Sequence, residues 1–426
     1  MAKSARYAWA LLAAALAPLS CNLIPSGPPS VESELQRAVS ATSTALAAPA
    51  PSLTAPPAPC SVSFGTPIAP DWSAPIDALA SMLLDQLNRG VPPASLRAVL
   101  ESAQLLAPDR GWAEGDVTGD GTLDWIISLV DRSSEGPSLS GTLLLFVCEQ
   151  DQFRLAYSTP ALNGVGAPQI MAFQDLNADG IGDLLVARDL CGAHTCQQQL
   201  EVLSWRGSRM ENVLQGRSDD LPTPTIEIQA SADGSGIIVV TALGINSAGA
   251  GPFRRIQRTW SWSPELSLFV ASPDVPLPSD FRIHTLLDAE QAARAGDDST
   301  AIALYNRVIQ DSALLDWADP PRERAVLAAY AMFRVLTLQL LSGDAEGARL
   351  TYSALLASHA AGTAGGPYAE MAEAFWQAYE AGQSLPAACQ VAQSFALTHT
   401  TEILDALQFG YANPAFSTTD VCPLAP

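Results

Sequence analysis

The sequence predicts a multidomain α+β protein in which a β-rich repeat region is followed by an α-helical repeat or bundle region. Short apolar runs separated by glycine, aspartate, asparagine and serine turns fill residues 111–273, the pattern of short antiparallel strands. Residues 279–410 instead carry apolar positions at helical spacing. The chain has 426 residues, enough for two or three domains with cores of their own.

Composition restricts the classes of function. The chain has 22 basic and 44 acidic side chains, for a formal net charge of −22. Such a surface repels nucleic acids and anionic lipid headgroups, because their phosphates are negative as well. We therefore expect no nucleic-acid partner and an affinity for cations.

The N-terminus has the features of an export signal. Residues 1–6 are short and basic, and residues 7–19 are apolar and shorter than the roughly 20 residues of a spanning helix. Leu19-Ser20-Cys21 resembles a bacterial lipobox, so residues 1–21 are expected to be a signal peptide ending at a lipidated Cys21. The alternative is a secreted protein, cleaved near Ala15-Leu16-Ala17, with Cys21 free or paired. Either reading places the protein outside the cytoplasm, and membrane contact would come only from the lipid.

Six cysteines remain when Cys21 is set aside, and an even number in an oxidising compartment indicates disulfides. Sequence alone leaves their connectivity open. The expected pairs are Cys191 with Cys196 across a tight loop, Cys389 with Cys422 at the C-terminal tail, and Cys60 with Cys148 by elimination.

The remaining boundaries follow from composition and periodicity. Residues 22–70 are dominated by alanine, proline, serine and threonine, which predicts a disordered tether. Residues 71–108 carry two apolar helical stripes separated by Gly90 and Pro92-Pro93, which predicts a helical hairpin. The β-repeat domain then spans 109–273, a linker 273–278, the helical domain 279–412 and a tail 413–426. Strands are predicted at Trp125–Val130, Thr142–Cys148, Phe153–Tyr157, Leu184–Ala187, Leu200–Trp205, Ile237–Thr241, Ile256–Trp262 and Leu266–Val270.

Two nine-residue stretches share a pattern of oxygen-bearing side chains at the first, third, fifth and ninth positions, with glycine at the sixth. The first has Asp116, Thr118, Asp120, Gly121 and Asp124, and the second has Asp175, Asn177, Asp179, Gly180 and Asp183. Calcium takes roughly six to eight oxygen ligands, and alternate residues of a tight loop supply them. Glycine at the sixth position permits the sharp reversal that returns the ninth residue to the ion. We therefore expect two Ca²⁺ sites, with the second stronger because Thr118 is a weaker ligand than Asn177.

The context of these turns distinguishes them from other calcium loops. Each runs directly into an apolar β run, whereas EF-hand and dockerin loops open a helix and place an acid at position twelve, here Ile127 or Val186. The turns resemble the calcium loops of FG-GAP/VCBS-type repeats, a family found in integrin α-subunit propellers and bacterial surface proteins. The resemblance covers residues 111–272 and implies a β-propeller-like domain. Residues 111–272 contain no Phe-Gly piece, and Ala187-Arg188-Asp189 stands where the family's Gly-Ala-Pro would follow the second turn. Both a closed and an incomplete propeller therefore stay open.

A third copy of the turn begins at Ser231-Ala-Asp233-Gly234. Its ninth position is Ile237, and we expect no metal there because isoleucine has no side-chain donor. For all three copies the alternative is an Asp-Gly turn that holds no ion.

The C-terminal region contains an internal repeat offset by 47 residues (343 − 296). Gly296-Asp297, Ala301, Tyr305, Val308 and Ile309 align with Gly343-Asp344, Ala348, Tyr352, Leu355 and Leu356. The pattern resembles tetratricopeptide repeats, with a faint third copy from Trp376 to Val391. Its period exceeds the family's value of about 34 because residues 311–324 insert a loop. The resemblance implies peptide binding in a concave face, and a plain helical bundle is the alternative.

No catalytic site is assigned. Cys191, His194 and Cys196 have zinc-binding residue types, but three ligands in an exported chain favour a disulfide hairpin. No nucleophile elbow, P-loop, zincin or dinucleotide motif occurs in its needed context. The other histidines show no partner pattern: His284, His359 and His399.

We therefore expect a non-enzymatic, calcium-stabilised binding or scaffold module of the bacterial cell envelope, with an unknown protein or peptide ligand. One alternative is an envelope hydrolase acting on cell-wall glycan or peptide. In that case some of the carboxylates assigned to metal would be its catalysts. The other alternative is a purely structural spacer.

Overall fold

The computed structural model describes residues 56–62, 70–245, 247–382 and 384–423, which belong to one compact unit. The signal peptide, Cys21 and most of the predicted tether lie outside the described residues. In chain order the described part contains a helical hairpin, three open antiparallel sheets and a helical region. A β region followed by a helical region is the order that the sequence predicts.

The helical hairpin consists of α1 (Ile76–Asn88) and α2 (Pro93–Ser102). Gly90 takes the left-handed conformation between them, with φ of 70°, and Pro93 begins α2 where a missing N–H costs nothing. Both helices bury their leucine stripes, including Leu83 and Leu100, against the first sheet.

The β region contains three sheets whose strands lie in sequence order, each antiparallel to the next. Sheet 1 contains β1 (Trp112–Gly115), β2 (Asp124–Val130), β3 (Gly141–Glu149) and β4 (Gln152–Ser158). Sheet 2 contains β5 (Gln169–Gln174), β6 (Asp183–Cys191), β7 (Cys196–Trp205) and β8 (Met210–Asn212). Sheet 3 contains β9 (Pro224–Ala230), β10 (Gly236–Ala242), β11 (Ile256–Ser263) and β12 (Leu268–Ala271), and β13 (Val275–Pro276) pairs with β11. The segment predicted as a linker therefore includes a short strand.

The three sheets pack face to face. In β6, Leu184 and Val186 contact the core shared with sheet 1, and Leu185 and Ala187 contact the core shared with sheet 3. Burial on both faces explains the continuous apolar runs of the middle strands. The outer face of sheet 1 is covered by the helical hairpin instead of another sheet. In the described chain the sheets therefore form a stack that the hairpin ends, and they close no barrel.

A short segment near the N-terminus is fixed to the first aspartate-rich turn. The Ala58 amide donates to Gly121 O at 2.8 Å, and the Leu123 amide donates to Ala58 O at 2.9 Å. Cys60 forms a disulfide with Cys148 of β3. These residues lie inside the predicted tether, so its last part is attached to sheet 1.

The described helical region contains three helix pairs, followed by residues 399–423, which we call the tail. This tail begins earlier than the one predicted from the sequence. Its helices are α3 (Arg282–Arg294), α4 (Asp298–Gln310), α5 (Pro320–Leu341), α6 (Ala345–Ser358), α7 (Gly366–Gly382), α8 (Leu385–Thr398), α9 (Thr400–Ile403) and α10 (Thr418–Val421). The repeated Gly-Asp turns act as caps: Asp297 accepts from the Thr300 amide and Asp344 from the Gly347 amide. Each cap satisfies one of the amides that the first turn of a helix leaves without a partner, which stabilises the helix.

The C-terminal tail lies across α3, α5 and α7, the first helices of the three pairs. The Tyr330 hydroxyl of α5 lies 3.1 Å from Asp420 O, and the Tyr330 ring packs edge-on against Phe416. Tyr368 of α7 donates to Ile403 O at 2.7 Å. Arg294 of α3 pairs with the Asp420 carboxylate at 3.4 Å. Since Phe416 is buried there, the tail covers this layer of helices.

The helix α5 is long and apolar enough to cross a membrane by length and composition. However, 67% of its apolar window is buried inside the fold. It packs against α4 and α6 as the central helix of the helical core.

A buried ion pair connects α3 and α5. The Glu290 carboxylate, 0% exposed, accepts from Arg334 Nε at 2.9 Å, Tyr305 OH at 2.6 Å and Tyr330 OH at 3.0 Å. Because both charges are enclosed, each depends on the other for solvation. Burial raises the pKa of Tyr330, so its hydroxyl stays protonated and donates.

We predict that Glu290→Gln destabilises the protein by about 3 kcal/mol, because it leaves the Arg334 guanidinium buried without its counter-charge. Chemical denaturation of wild type and variant measures the difference. The matched control is Glu346→Gln, whose pair with Arg349 is exposed and contributes little to stability. Equal destabilisation by the two variants would contradict the prediction.

Candidate metal centres

The two aspartate-rich turns share a backbone feature. In each, the fourth and sixth positions are left-handed: Gly119 and Gly121 have φ of 77° and 83°, and Ala178 and Gly180 have φ of 62° and 87°. The turns connect the first two strands of sheets 1 and 2. The left-handed conformation accounts for the glycine at the sixth position of each turn. Ala178 adopts the same conformation although its Cβ atom makes it unfavourable.

The first aspartate of each turn holds the loop closed. Asp116 accepts from the amides of Gly119 at 2.6 Å and Gly121 at 2.8 Å. Asp175 accepts from the amides of Asp179 at 3.1 Å and Gly180 at 2.9 Å. The carboxylates thus organise the loop backbone around themselves.

The fifth-position aspartates make a more local bond. Asp120 accepts from the Thr122 amide at 2.8 Å, and Asp179 accepts from the Ile181 amide at 2.9 Å. In the second turn, Asn177 Oδ1 also accepts from the Asp179 amide at 2.9 Å. Each carboxylate therefore keeps lone pairs that its backbone partner does not use.

The ninth-position aspartates join each turn to its sheet. Asp124 is 0% exposed and accepts from the Val117 amide at 2.9 Å and the Cys148 amide at 2.9 Å. Asp183 is 1% exposed and accepts from the Leu176 amide at 3.0 Å. One oxygen of each carboxylate bonds the amide at the second turn position, so the end of the loop is tied to its beginning.

Burial perturbs the pKa of both ninth-position carboxyl groups. Desolvation raises the pKa of Asp124 to about 6, and the negative charges of Asp120 and Asp116 add to that rise. Desolvation likewise raises the pKa of Asp183 to about 6, with Asp179 contributing. A divalent cation at either turn would lower these pKa values by neutralising the group of carboxylates.

The donor types at both turns suit a hard cation, because every side chain of the pattern offers oxygen. In the described part of the chain, no group of three or more histidine, cysteine, aspartate and glutamate side chains is arranged as a ready metal site. The first turn provides three carboxylates and Thr118, and the second provides three carboxylates and Asn177. Calcium binding at either turn would therefore require its side chains to move toward one point.

The third copy of the turn is a shorter hairpin corner. The Ser231 amide donates to Ser235 O at 2.8 Å, which closes the turn directly between β9 and β10. The Asp233 carboxylate accepts from the Ser235 amide at 3.0 Å. This local bond is the one that the fifth-position aspartates make in the first two turns. The third turn differs because its ninth position is Ile237, so it has no buried acid there.

The cysteines of the described chain form three disulfides. They join Cys60 with Cys148, Cys191 with Cys196 and Cys389 with Cys422, the pairs named from the sequence. Cys191 and Cys196 face each other across the β6–β7 hairpin, so their sulfurs are joined to each other. Three disulfides are consistent with an exported protein.

His284 has a structural setting that its sequence context does not reveal. It is buried, its Nδ1 lies 2.6 Å from Ser279 Oγ, and its Nε2 lies 3.2 Å from both Pro252 O and Asn413 Oδ1. Burial lowers the pKa of His284, so the neutral ring joins the β region, α3 and the tail.

Two features of functional interest escape sequence reasoning. Ser204 of β7 lies beside the second turn, 3.2 Å from Asn177 Nδ2, and no local pattern marks it. Trp317 is 45% exposed beside a cavity, and its only sequence signal is its position in the loop predicted at 311–324.

Comparison with protein family models, curated proteins and solved structures finds no match to this chain.

We predict that Ala178→Gly stabilises the protein by about 1 kcal/mol, because glycine removes the cost of a left-handed β-carbon residue. Thermal or chemical unfolding measures the change. The control Ala354→Gly lies at an exposed position inside α6, where glycine lowers stability by about 0.5–1 kcal/mol. Loss of stability in Ala178→Gly would show that its conformation is not strained.

We also predict that, in chelator, protein stability falls as the pH rises from about 5 to about 7. Folded Asp124 and Asp183 retain protons up to about pH 6, whereas the ordinary pKa is 3.8. The folded state therefore binds more protons in this window, and raising the pH favours unfolding. Buried His284 and His359 have lowered pKa values, which act in the opposite direction.

The double variant Asp124→Asn/Asp183→Asn separates these contributions, because it removes only the carboxylates. Its melting temperature should depend less steeply on pH than that of wild type across the same window. Identical slopes in wild type and variant would refute the assignment of the proton uptake to these two residues.

Proposed function

We propose that the protein is a calcium-stabilised binding module of the bacterial cell envelope, exported and attached through a lipid on Cys21. Two turns would each hold one Ca²⁺. The first would use Asp116, Thr118, Asp120 and Asp124, and the second would use Asp175, Asn177, Asp179 and Asp183. The observation that carries the proposal is the pair of matching loops, each ending on a buried carboxyl group that accepts the amide at the second position of its own turn.

The calcium role is structural in this proposal. Extracellular calcium modules bind with dissociation constants of roughly 10⁻⁴–10⁻³ M. At about 1 mM calcium and the tighter value, each ion stabilises the fold by about 1.4 kcal/mol. In the first turn this stabilisation would extend to the segment around Ala58, because that segment pairs with Gly121 and Leu123.

The extracytoplasmic location rests on the disulfides together with the signal-like N-terminus. The Cys60–Cys148 disulfide fixes the last part of the predicted tether to sheet 1. A chain anchored at Cys21 would be connected to the folded part through this segment. The three stacked sheets, each with strands in sequence order, support an incomplete β-propeller-like domain whose open end is covered by the helical hairpin.

A hydrolase is less well supported by the same residues. A carboxyl group with a pKa near 6 suits a general acid, which makes Asp124 and Asp183 the natural candidates. Both are enclosed, and their oxygens accept backbone amides of their own turn. A catalytic acid must reach its substrate, so these groups favour the metal-binding proposal.

We predict that 1 mM calcium raises the melting temperature of the full chain relative to chelator, by about 1.4 kcal/mol of unfolding free energy per site. Asp120→Asn should abolish the contribution of the first turn to this rise, and Asp179→Asn should abolish the contribution of the second turn. Each substitution removes charge while retaining the oxygen that accepts the local amide. Differential scanning fluorimetry measures the shift, and calorimetric titration counts the ions.

The matched control is Asp233→Asn in the third turn, because Asp233 makes the same local bond to the residue two positions later. It should leave the calcium response unchanged. A wild-type melting temperature that is identical in calcium and chelator, with no heat of binding, would exclude both sites.

A further inference from the structure

A cavity of about 400 Å³ lies where the β region, the helical region and the tail meet. We call it the junction cavity and define it by three segments, residues 248–251, 317–326 and 405–410, all of which line it. Small-molecule sites occur preferentially at such domain interfaces and measure roughly 300–1,000 Å³. The volume thus suits a small ligand.

The walls of the junction cavity are fixed by bonds between distant segments. The amide of Tyr411 donates to Gly249 O at 3.2 Å, and the Ala412 amide donates to Ala250 O at 3.1 Å. Asn413 Nδ2 donates to Pro252 O at 3.0 Å and to Phe409 O at 2.9 Å. The tail is therefore held against the β region, and a ligand would meet a preformed site.

Trp317 is a rigid, exposed aromatic side chain at this cavity. The Glu323 carboxylate accepts the amides of Trp317, Ala318 and Asp319 at 2.5, 2.7 and 2.8 Å, which fixes the loop. The Trp317 ring packs against Phe281 with centroids 5.9 Å apart, yet 45% of the residue is exposed. A fixed indole loses little conformational entropy when a ligand stacks on it.

Tyr411 provides a second aromatic surface. It is 67% exposed and its ring lies against Gly249, a cavity-lining residue. Exposed tyrosine and tryptophan are the side chains most enriched at binding sites, because they combine apolar faces with a polar group.

Four polar side chains around the cavity have no hydrogen-bond or ion-pair partner within the described residues. They are Asp319, Arg322, Asp405 and Gln408. Planar carboxylate, guanidinium and amide groups of this kind suit paired hydroxyls. With Glu323, the cavity holds three carboxylates and one guanidinium, so its local charge disfavours an anionic ligand.

We propose that the junction cavity binds a short neutral oligosaccharide, which stacks on Trp317 and Tyr411 and whose hydroxyls bond Arg322 and its acidic and amide neighbours. A sugar ring presents an apolar C–H face together with hydroxyls at its edge, which matches aromatic surfaces flanked by planar polar groups. The inference deepens the proposed binding function by naming the class of ligand.

Calorimetric titration of the full chain with β-1,4-linked N-acetylglucosamine and glucose oligomers of two to four units tests the proposal. We expect saturable binding by at least one series. Trp317→Ala and Tyr411→Ala should each weaken it by about tenfold. The melting temperature of each variant checks that the fold is retained, because the Trp317 ring also packs against Phe281. Arg322→Ala should weaken it as well. The control Leu397→Ala removes a large apolar side chain that is 68% exposed elsewhere and should bind as wild type.

Absence of saturable binding by every neutral oligomer up to about 10 mM would overturn the proposal. So would binding that Trp317→Ala and Tyr411→Ala both leave unchanged. A peptide of residues 44–57 that saturates the cavity while the sugars do not would reassign it to the chain's own proline-rich segment.

Titrations run in calcium and in chelator separate this inference from the calcium proposal. Sugar binding without a calcium-dependent melting shift would sustain the ligand site and defeat the metal sites. A calcium-dependent shift without sugar binding would do the reverse.

Discussion

The β region depends on a buried carboxylate at the start of the second strand in each of its first two sheets. Asp124 and Asp183 accept the amide at the second position of their own turns, so each loop is tied to the strand that follows it. The cost is a desolvated negative charge beside other carboxylates. In sheet 1 the same carboxylate accepts the Cys148 amide, and Cys148 also holds Cys60, so one group connects turn, sheet and N-terminal segment.

This constraint is local, which is why much of it can be predicted from the sequence. The Asp-Gly pattern lies within nine residues, and the long buried strands beside it have apolar runs. The first strands of sheets 1 and 3 are absent from the predictions because they are poorly marked. The predictions also miss β8, which is short, and β5, although its residues 170–173 are apolar. In β9, alternate residues such as Glu227 and Gln229 are polar or exposed, and β1 has only four residues. Strands of this kind form because a neighbouring strand supplies their hydrogen bonds, and that information is not local.

The contacts between regions are still harder to predict. His284, Pro252 and Asn413 are widely separated along the chain, and nothing in their neighbourhoods indicates that they meet. The Arg254–Asp288 ion pair lies at the same junction. It is hard to predict because arginine and aspartate occur throughout the sequence. The inserted loop before α5 is visible as an interruption of the helical repeat. The position of Trp317 within this loop depends on the Glu323 carboxylate, which accepts its amide, and the cavity beside it is completed by the tail. These segments come together only in the folded chain.

The position of the tail decides where the helical region can take part in binding. A repeat array with an open concave face would offer the surface of its first helices to a peptide, but here Phe416 and Ile403 lie on that layer and the Cys389–Cys422 disulfide fastens the tail to α8. The charged groups within the layer, Glu290 and Arg334, already satisfy each other. Because the tail covers this face, the accessible polar and aromatic side chains lie at the edge of the face, where the tail meets the β region. The helical region therefore reaches this edge through its loops, in which the exposed rings of Trp317 and Tyr411 lie.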